Sequence, residues 1–187
     1  TKDCTIGFDG RLVSIDFVEQ LKSNLSKKNI NIFYQEDLID QVWENRPSIS
    51  KQKAFELSID FTGMSRIEKF AKVREHLDKL EADVFLLTSL DDIAWLFNLR
   101  GNDVACNPVL LSYAIVSKDS VKLYVNDGVL DADLIKKLNA DGIEILAYND
   151  IYNDVQAFKD EVVVYQKNKV NYALSALINA KKVINEV

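Results

Sequence analysis

Four side chains with binding chemistry lie close together in the stretch DDIAWLFNLRGND, residues 91–103. They are Trp95, Asn98, Arg100 and Asp103. The Arg100 guanidinium is a planar fork of N–H donors that suits a carboxylate, and the Trp95 indole can form an apolar wall. This pattern is compatible with a loop that contacts a ligand or a neighbouring domain. In the alternative, structural interpretation, Trp95 belongs to the core and Arg100 pairs with a nearby carboxylate. The carboxylates concerned are those of Asp91, Asp92 and Asp103.

The residues around this stretch predict a short helix with an unusual exit. Ser89 and Asp92 are suited to cap its first turn. The apolar residues at positions 93 and 95–97 cannot all face one side of a helix, so some of them must meet a second surface. Asn98 and Gly101 favour a chain that leaves the helix in a left-handed or otherwise unusual conformation.

The common catalytic signatures of α/β enzymes are missing. The chain contains no G-x-G-x-x-G, no G-x-x-x-x-G-K-[ST] and no G-x-S-x-G, so it gives no support to a dinucleotide site, a phosphate loop or a hydrolase elbow. Two carboxylate pairs, at 91–92 and 131–133, precede helical runs, where negative charge is stabilising. We interpret both pairs as helix N-terminal charges.

The histidine and the cysteines give little support to a metal or redox site. His76 is the only histidine, so a His-rich metal site or a Ser-His-Asp triad would have to use it. Its context, KVREHLDKL, instead predicts the polar side of a helix. Cys4 and Cys106 are interpreted as free thiols, because two distant cysteines do not predict a disulfide.

The acidic composition argues against nucleic acid as a partner. The 187 residues carry 29 acidic and 23 basic side chains, for a net charge of −6. Nucleic-acid affinity depends on clustered Lys and Arg. No apolar run approaches the length of about 18 residues that a membrane span needs, so we expect no membrane partner. The first residues, TKD, do not resemble a signal peptide, and we therefore expect a cytoplasmic protein.

The hydrophobic pattern predicts an α/β fold, a three-layer sandwich with a mixed β-sheet. Residues 5–35 read as strand, helix and strand, too little for a core of their own. The Arg46-Pro47 step places a boundary near residues 46–62. A second series of alternating helices and strands follows, and it includes a hairpin around residues 118–120.

One helix of this second series begins after Ser65, which forms a predicted capping box with Glu68. Its expected buried stripe comprises Ile67, Phe70, Val73, Leu77 and Leu80. Later helices are expected over IYNDVQAFK and NYALSALINA.

The run LDDIAWLFNLRGNDVACNPVLLSYAIV, followed by LYVN, resembles the middle domain of three-domain Xaa-Pro aminopeptidases of the creatinase/prolidase superfamily. The upstream segments DLIDQVWENRP and IDFTGMSRIEKFAKVRE resemble the junction between that family's first and second domains. The resemblance implies a creatinase/prolidase N-terminal-domain-like fold. It divides the chain into the end of a first domain (1–46), a linker (47–62) and a complete second domain (63–187), with the catalytic pita-bread domain expected beyond residue 187.

The resemblance also implies a chemistry that this chain does not contain. In that family the third domain holds two divalent metals, usually manganese, and cleaves the peptide bond before proline. We therefore expect no cofactor in this chain and no activity from it alone. Its expected partners are its own C-terminal catalytic domain, short peptides with proline second, and a second copy in a homodimer. Trp95, Asn98, Arg100 and Asp103 match the loop that covers the active site in this family.

Two other functions are compatible with the sequence. A superfamily member that has lost catalysis can serve as a binding platform, because fold does not fix function. A free-standing α/β interaction module unrelated to peptides is the other alternative.

Overall fold

The computed structural model describes residues 4–26 and 28–186, in which strands and helices alternate. The strands are β1 (Thr5–Gly7), β2 (Asn31–Phe33), β3 (Phe55–Glu56), β4 (Val84–Leu87), β5 (Leu99–Arg100), β6 (Ser112–Ser117), β7 (Val121–Val125), β8 (Ile143–Ala147), β9 (Val162–Tyr165) and β10 (Lys182–Asn185). The helices are α1 (Ile15–Leu25), α2 (Ile59–Thr62), α3 (Arg66–Lys79), α4 (Leu90–Phe97), α5 (Ala132–Ala140), α6 (Ile151–Asp154) and α7 (Tyr172–Ser175).

The main sheet has six strands in the order β10-β9-β4-β6-β7-β8. Strand β6 runs antiparallel to both of its neighbours, β4 and β7. The other pairings are parallel, so five strands point the same way and their carboxyl ends lie at one edge. The predicted mixed sheet and the predicted β6–β7 hairpin are both confirmed.

The sheet is covered on both faces, which confirms the predicted three layers. Successive residues of β6 point to opposite faces, as a strand requires. Ala114 and Val116 pack with the buried faces of α3, α4 and α5. Tyr113 and Ile115 pack in a second cluster with Ile15 of α1 and with residues of α6 and α7.

Several helix boundaries follow from local chemistry. Ser65 and Glu68 form the predicted capping box at the start of α3. The Asp131 carboxylate accepts the Leu134 N–H at the start of α5, and Gly142 follows that helix with φ 78°. Ser89 occupies the N-cap of α4, but its side chain accepts no cap hydrogen bond, so that part of the prediction is wrong.

Two predicted helices are much shorter than expected. IYNDVQAFK contains only the single turn α6, flanked by 3-10 turns at Tyr148–Asp150 and Val155–Ala157. NYALSALINA contains only α7, with Asn171 as its N-cap. Both segments lie in a crowded apolar layer, where packing rather than helical propensity decides the backbone path.

Strands β1 and β2 pair in parallel around α1, and we call β1-α1-β2 the N-terminal βαβ unit. It forms its own two-stranded sheet and packs on the rest of the chain at the start of α7. There the Ile15 N–H donates to the Val170 carbonyl over 3.1 Å, and the Tyr172 N–H donates to the Val13 carbonyl over 2.8 Å. This reciprocal contact joins the N-caps of two βαβ crossovers. The division into domains at residues 46 and 62 remains a prediction.

Candidate functional site: the α4–β5 surface

Helix α4 has four buried apolar residues and one exposed aromatic side chain. Ile93, Ala94, Leu96 and Phe97 are buried, while Trp95 is 51% exposed. The expectation that these residues do not share one face is confirmed. Trp95 does not belong to the core, so this part of the structural alternative is wrong.

A buried lysine supports the Trp95 side of α4. Lys69 is 1% exposed, and its ammonium donates to the Trp95 carbonyl over 2.7 Å and to Asn98 Oδ1 over 2.5 Å. The same ammonium lies 4.3 Å from the centroid of the Trp95 ring, in cation–π geometry. Burial, with a smaller contribution from Arg100, lowers the pKa of Lys69 below its usual value. Lys69 therefore connects α3 to the site.

Sequence reasoning missed Lys69 because charged residues are normally assigned to the solvent face. The predicted stripe on α3 included Ile67, which is in fact 48% exposed. The observed buried residues of α3 are Arg66, Lys69, Phe70 and Leu77. Their spacing of three, four and seven residues places them on one face of the helix. This spacing could have indicated the buried face, but a search for apolar residues alone misses it because two of the four residues are charged.

Asn98 ends α4 in the left-handed conformation, with φ 55°, as predicted. Its side chain is buried and wholly engaged within the fold, since Nδ2 donates to the Met64 carbonyl over 2.9 Å and Oδ1 accepts from Lys69. Its own carbonyl accepts the Leu57 N–H over 2.8 Å, next to the antiparallel β3–β5 pair. Asn98 thus positions the chain on either side of Trp95 and Arg100.

Arg100 is fixed to backbone carbonyls rather than to a carboxylate. Its Nη1 donates to the Ala94 carbonyl over 2.7 Å and to the Leu99 carbonyl over 2.8 Å. Within residues 4–26 and 28–186, Arg100 forms no ion pair, so the expected pairing with a nearby aspartate is wrong. One side of the guanidinium is anchored on α4, and no hydrogen bond to a described residue engages its other N–H groups.

Asp103 and Gly101 shape the loop that follows β5. Asp103 Oδ2 accepts the Leu111 N–H over 2.7 Å, while Oδ1 is buried without a hydrogen-bond partner among the described residues. Gly101 is required by a close approach, because a Cβ there would lie 2.8 Å from the Val109 carbonyl oxygen and 2.9 Å from the Leu110 Cβ. Of the two residues expected to give a left-handed or otherwise unusual exit from the helix, Asn98 is left-handed, whereas the φ of Gly101 is not positive.

Exposed apolar side chains surround this surface, and together we call them the apolar face. They are Phe55, Ile59, Phe61, Ile67 and Trp95, each between 48% and 79% exposed. Phe55 is the cross-strand partner of Arg100. Ile59 and Ile67 line one cleft of about 450 Å³ with Asn98. Exposed apolar patches of this kind mark interaction surfaces.

Potential metal ligands do not converge in the described part of the chain. Across residues 4–26 and 28–186, no group of three or more His, Cys, Asp or Glu side chains is arranged to hold an ion. His76 instead contacts Glu186, and Cys4 and Cys106 are free thiols. In the same residues, no helix combines the length and the apolar character needed to cross a bilayer.

Comparisons with known proteins match almost the whole chain. The family model for the creatinase/prolidase N-terminal domain matches residues 45–187. A probable Xaa-Pro aminopeptidase P from Sordaria macrospora is 35% identical over 98% of this chain and 32% of its own length. Xaa-Pro aminopeptidase 1 from Dictyostelium discoideum is 38% identical over 81% of this chain and 25% of its own length. The chain therefore spans a third or less of these relatives.

Among solved structures, the cytosolic X-prolyl aminopeptidase of Caenorhabditis elegans, an enzyme with a di-nuclear active site, superimposes with a TM-score of 0.90. The match covers 99% of this chain and 31% of that enzyme, at 23% identity, and it establishes the fold. The resemblance to Xaa-Pro aminopeptidases, inferred from the run LDDIAWLFNLRGNDVACNPVLLSYAIV with LYVN and from the two upstream segments, is confirmed. The chain belongs to the creatinase/prolidase N-terminal domain family.

Proposed function

We propose that this chain is the non-catalytic N-terminal region of an Xaa-Pro aminopeptidase, a hydrolase that releases the N-terminal residue before proline. The observation that carries the proposal is the alignment of 98% of the chain with about a third of a relative named for that activity. The remaining two thirds of such a relative leave room for a C-terminal catalytic domain. In this proposal the chain shapes and covers the active site of that domain.

The α4–β5 surface is the part of the chain that would face the catalytic domain. Trp95 presents half of its ring outward while Lys69 supports it from beneath. Arg100 is anchored through Nη1, so its other N–H groups can bind a carboxylate of a peptide or of the catalytic domain. Asn98 and Asp103 act by holding the backbone that carries these two side chains. The apolar face supplies area for the contact between domains.

The proposed enzyme would use two divalent metals, with manganese as the expected ion. In this proposal the metals lie in the catalytic domain, and the described residues of this chain include no group of three or more potential ligands arranged to hold an ion. There they would act as a Lewis acid and lower the pKa of a bound water. The residues of this chain would exclude water and orient the peptide.

The cellular setting and the assembly are further parts of the proposal. A cytosolic location is supported by the description of the Caenorhabditis elegans enzyme as cytosolic. A homodimer is proposed because a second set of exposed apolar side chains lies away from α4. These are Leu12, Phe17, Leu38, Ile39, Val42, Trp43 and Ile49. Neither nucleic acid nor a membrane is a proposed partner.

The proposal is tested by comparing the full-length protein with the 187-residue chain. With manganese present, the full-length protein should release the first residue of an Ala-Pro-Ala peptide, and the 187-residue chain should not. A full-length protein that leaves Xaa-Pro bonds intact would refute the proposed activity. Cleavage by the isolated chain would refute its non-catalytic role.

A further inference from the structure

A cavity lies outside the α4–β5 surface, at the contact between the N-terminal βαβ unit and the main sheet. Its volume is about 900 Å³, within the range of small-molecule sites. We call it the junction cavity and define it by Asp9, Arg11, Tyr34, Tyr152 and Ala173. Neither Trp95 nor Arg100 is among the residues that line it.

The topology places the carboxyl ends of two parallel sheets around the junction cavity. Asp9 and Arg11 follow β1, and Tyr34 follows β2. Across the cavity, Tyr152 lies after β8, and Ala173 lies in the crossover after β9. In open α/β sheets, ligands bind in the crevice outside the carboxyl ends of the strands. Residues that follow strands of both sheets therefore line one cavity, which is a position where a ligand is expected.

Tyr152 forms a fixed aromatic wall in the cavity. Its hydroxyl lies 3.3 Å from the Tyr113 hydroxyl and accepts a hydrogen bond from Asn171 Nδ2 over 3.2 Å. Asn171 is buried, and the same Nδ2 also donates to the Tyr113 hydroxyl over 3.1 Å. Burial raises the pKa of Tyr152, so its ring carries no charge at neutral pH. The wall is therefore rigid and neutral.

Arg11 places a free cation on this wall. Its guanidinium carbon lies 4.8 Å from the centroid of the Tyr152 ring. Stacking of this kind leaves the N–H donors at the guanidinium edge available for a bidentate carboxylate. Within residues 4–26 and 28–186, the Arg11 side chain has no ion pair and no hydrogen-bond partner.

Asp9 adds an anion that pairs with no cation among the described residues. Its Oδ1 accepts the Arg11 backbone N–H over 2.8 Å, and it forms no ion pair with any described residue. The other carboxylates of the cavity, Asp37 and Asp40, both pair with Arg46. Arg11 and Asp9 are therefore the cation and the carboxylate of the cavity that form no ion pair with a described residue, and they lie beside an aromatic ring and the apolar side chains of Ala173 and Leu177.

We propose that the junction cavity binds a small zwitterion, a free amino acid or a short unmodified peptide, with its carboxylate on Arg11 and its ammonium facing Asp9. A simple anion would be attracted by Arg11 but repelled by Asp9. A simple cation would be attracted by Asp9 but repelled by Arg11. A zwitterion satisfies both charges, and its apolar part lies against Tyr152 and Leu177. This site is additional to the proposed role of the α4–β5 surface and does not depend on it.

The test uses the 187-residue chain, ¹⁵N-labelled and titrated with Ala-Ala-Ala or with L-alanine at millimolar concentration. We expect the backbone signals of Arg11, Tyr152 and Ala173 to shift with at least one of these probes, and the probe that binds more tightly identifies the source. Amidating the carboxyl end or acetylating the amino end should weaken binding of the tripeptide at least tenfold, because each removes a charge-assisted hydrogen bond.

Matched variants connect each charge of the ligand to one residue. Arg11→Gln should weaken binding of free Ala-Ala-Ala at least tenfold while leaving the weaker binding of its amide unchanged. Asp9→Asn keeps an acceptor for the Arg11 N–H. It should weaken binding of free Ala-Ala-Ala at least tenfold while leaving the weaker binding of the acetylated peptide unchanged. Lys136→Gln, an equal change of charge on the exposed side of α5, should have no effect.

Three results would overturn the site. They are the absence of any shift with either probe, equal affinity for the free and amidated tripeptide, and unchanged affinity in Arg11→Gln. Because the readout is binding by the isolated chain, its failure is distinct from a failure of the proposed aminopeptidase activity.

Discussion

Replacing Asn98 by glycine tests whether its buried contacts hold α4 against α3. Asn98 Oδ1 lies 2.5 Å from the Lys69 ammonium, and Nδ2 donates to the Met64 carbonyl over 2.9 Å. Glycine removes both hydrogen bonds but tolerates the φ of 55° without strain. One charged bond contributes about 1.5–3 kcal/mol and one neutral bond about 1 kcal/mol. We therefore expect the free energy of unfolding to fall by about 2.5–4 kcal/mol.

Asn98→Ala separates the hydrogen bonds from the backbone conformation. It removes the same two bonds but keeps the Cβ that Asn98 already holds in the left-handed region, so it should be about 1–2 kcal/mol less stable than Asn98→Gly. Urea unfolding followed by tryptophan fluorescence and circular dichroism gives the free energy of both variants. Lys69→Met completes a double-mutant cycle with Asn98→Gly and should show a coupling energy above about 0.5 kcal/mol.

Two outcomes would refute this reasoning. In one, the free energy of unfolding of Asn98→Gly lies within about 0.5 kcal/mol of that of the native chain, which is the range of an ordinary surface substitution. In the other, Asn98→Ala is no less stable than Asn98→Gly.

Three more predictions concern the loop, the acid response and the proposed enzyme. Gly101→Ala should lower the free energy of unfolding by about 1–3 kcal/mol, because the new Cβ meets a carbonyl oxygen 2.8 Å away; native stability in urea would contradict this. Burial opposes ionisation of Asp154, but hydrogen bonds from Lys122 and Tyr124 outweigh it and lower its pKa from 3.8. The stabilising contribution of this carboxylate is therefore present above pH 3.8 and is lost as the pH falls through the lowered pKa. Asp154→Asn should flatten the loss of stability in that acid range, and an unchanged pH profile of unfolding would contradict it. In the full-length protein, Arg100→Ala should lower kcat/KM for Ala-Pro-Ala about tenfold when assayed well below its melting temperature, which should itself fall because the two hydrogen bonds from Nη1 are lost. Native activity with a large drop in melting temperature would show that Arg100 is structural.

The mixed sheet and most of its helices could be predicted because their signals are local. The capping box of Ser65, the N-cap Asp131 and the terminating Gly142 each satisfy backbone groups within a few residues. The β6–β7 hairpin is predicted from two strand-like segments rich in apolar residues, which are joined by a short turn. Such features do not depend on the rest of the fold.

The features that could not be predicted depend on contacts between distant segments. Strands β3 and β5 have two residues each and exist only because residues 55–56 meet residues 99–100. The burial of Lys69 depends on acceptors at positions 95 and 98, which lie on another helix. The site prediction named the right stretch, but only the structure distinguishes the exposed Trp95 from the wholly engaged Asn98.

The central claim is that the α4–β5 surface and the apolar face cover a catalytic domain that lies outside this chain. Hydrogen exchange by mass spectrometry tests it directly when the full-length protein is compared with the 187-residue chain. We expect the amides of residues 55–67 and 90–100 to exchange more slowly in the full-length protein, while those of the exposed α5 segment, residues 135–137, remain unchanged. Equal exchange of residues 55–67 and 90–100 in the two proteins would contradict the claim.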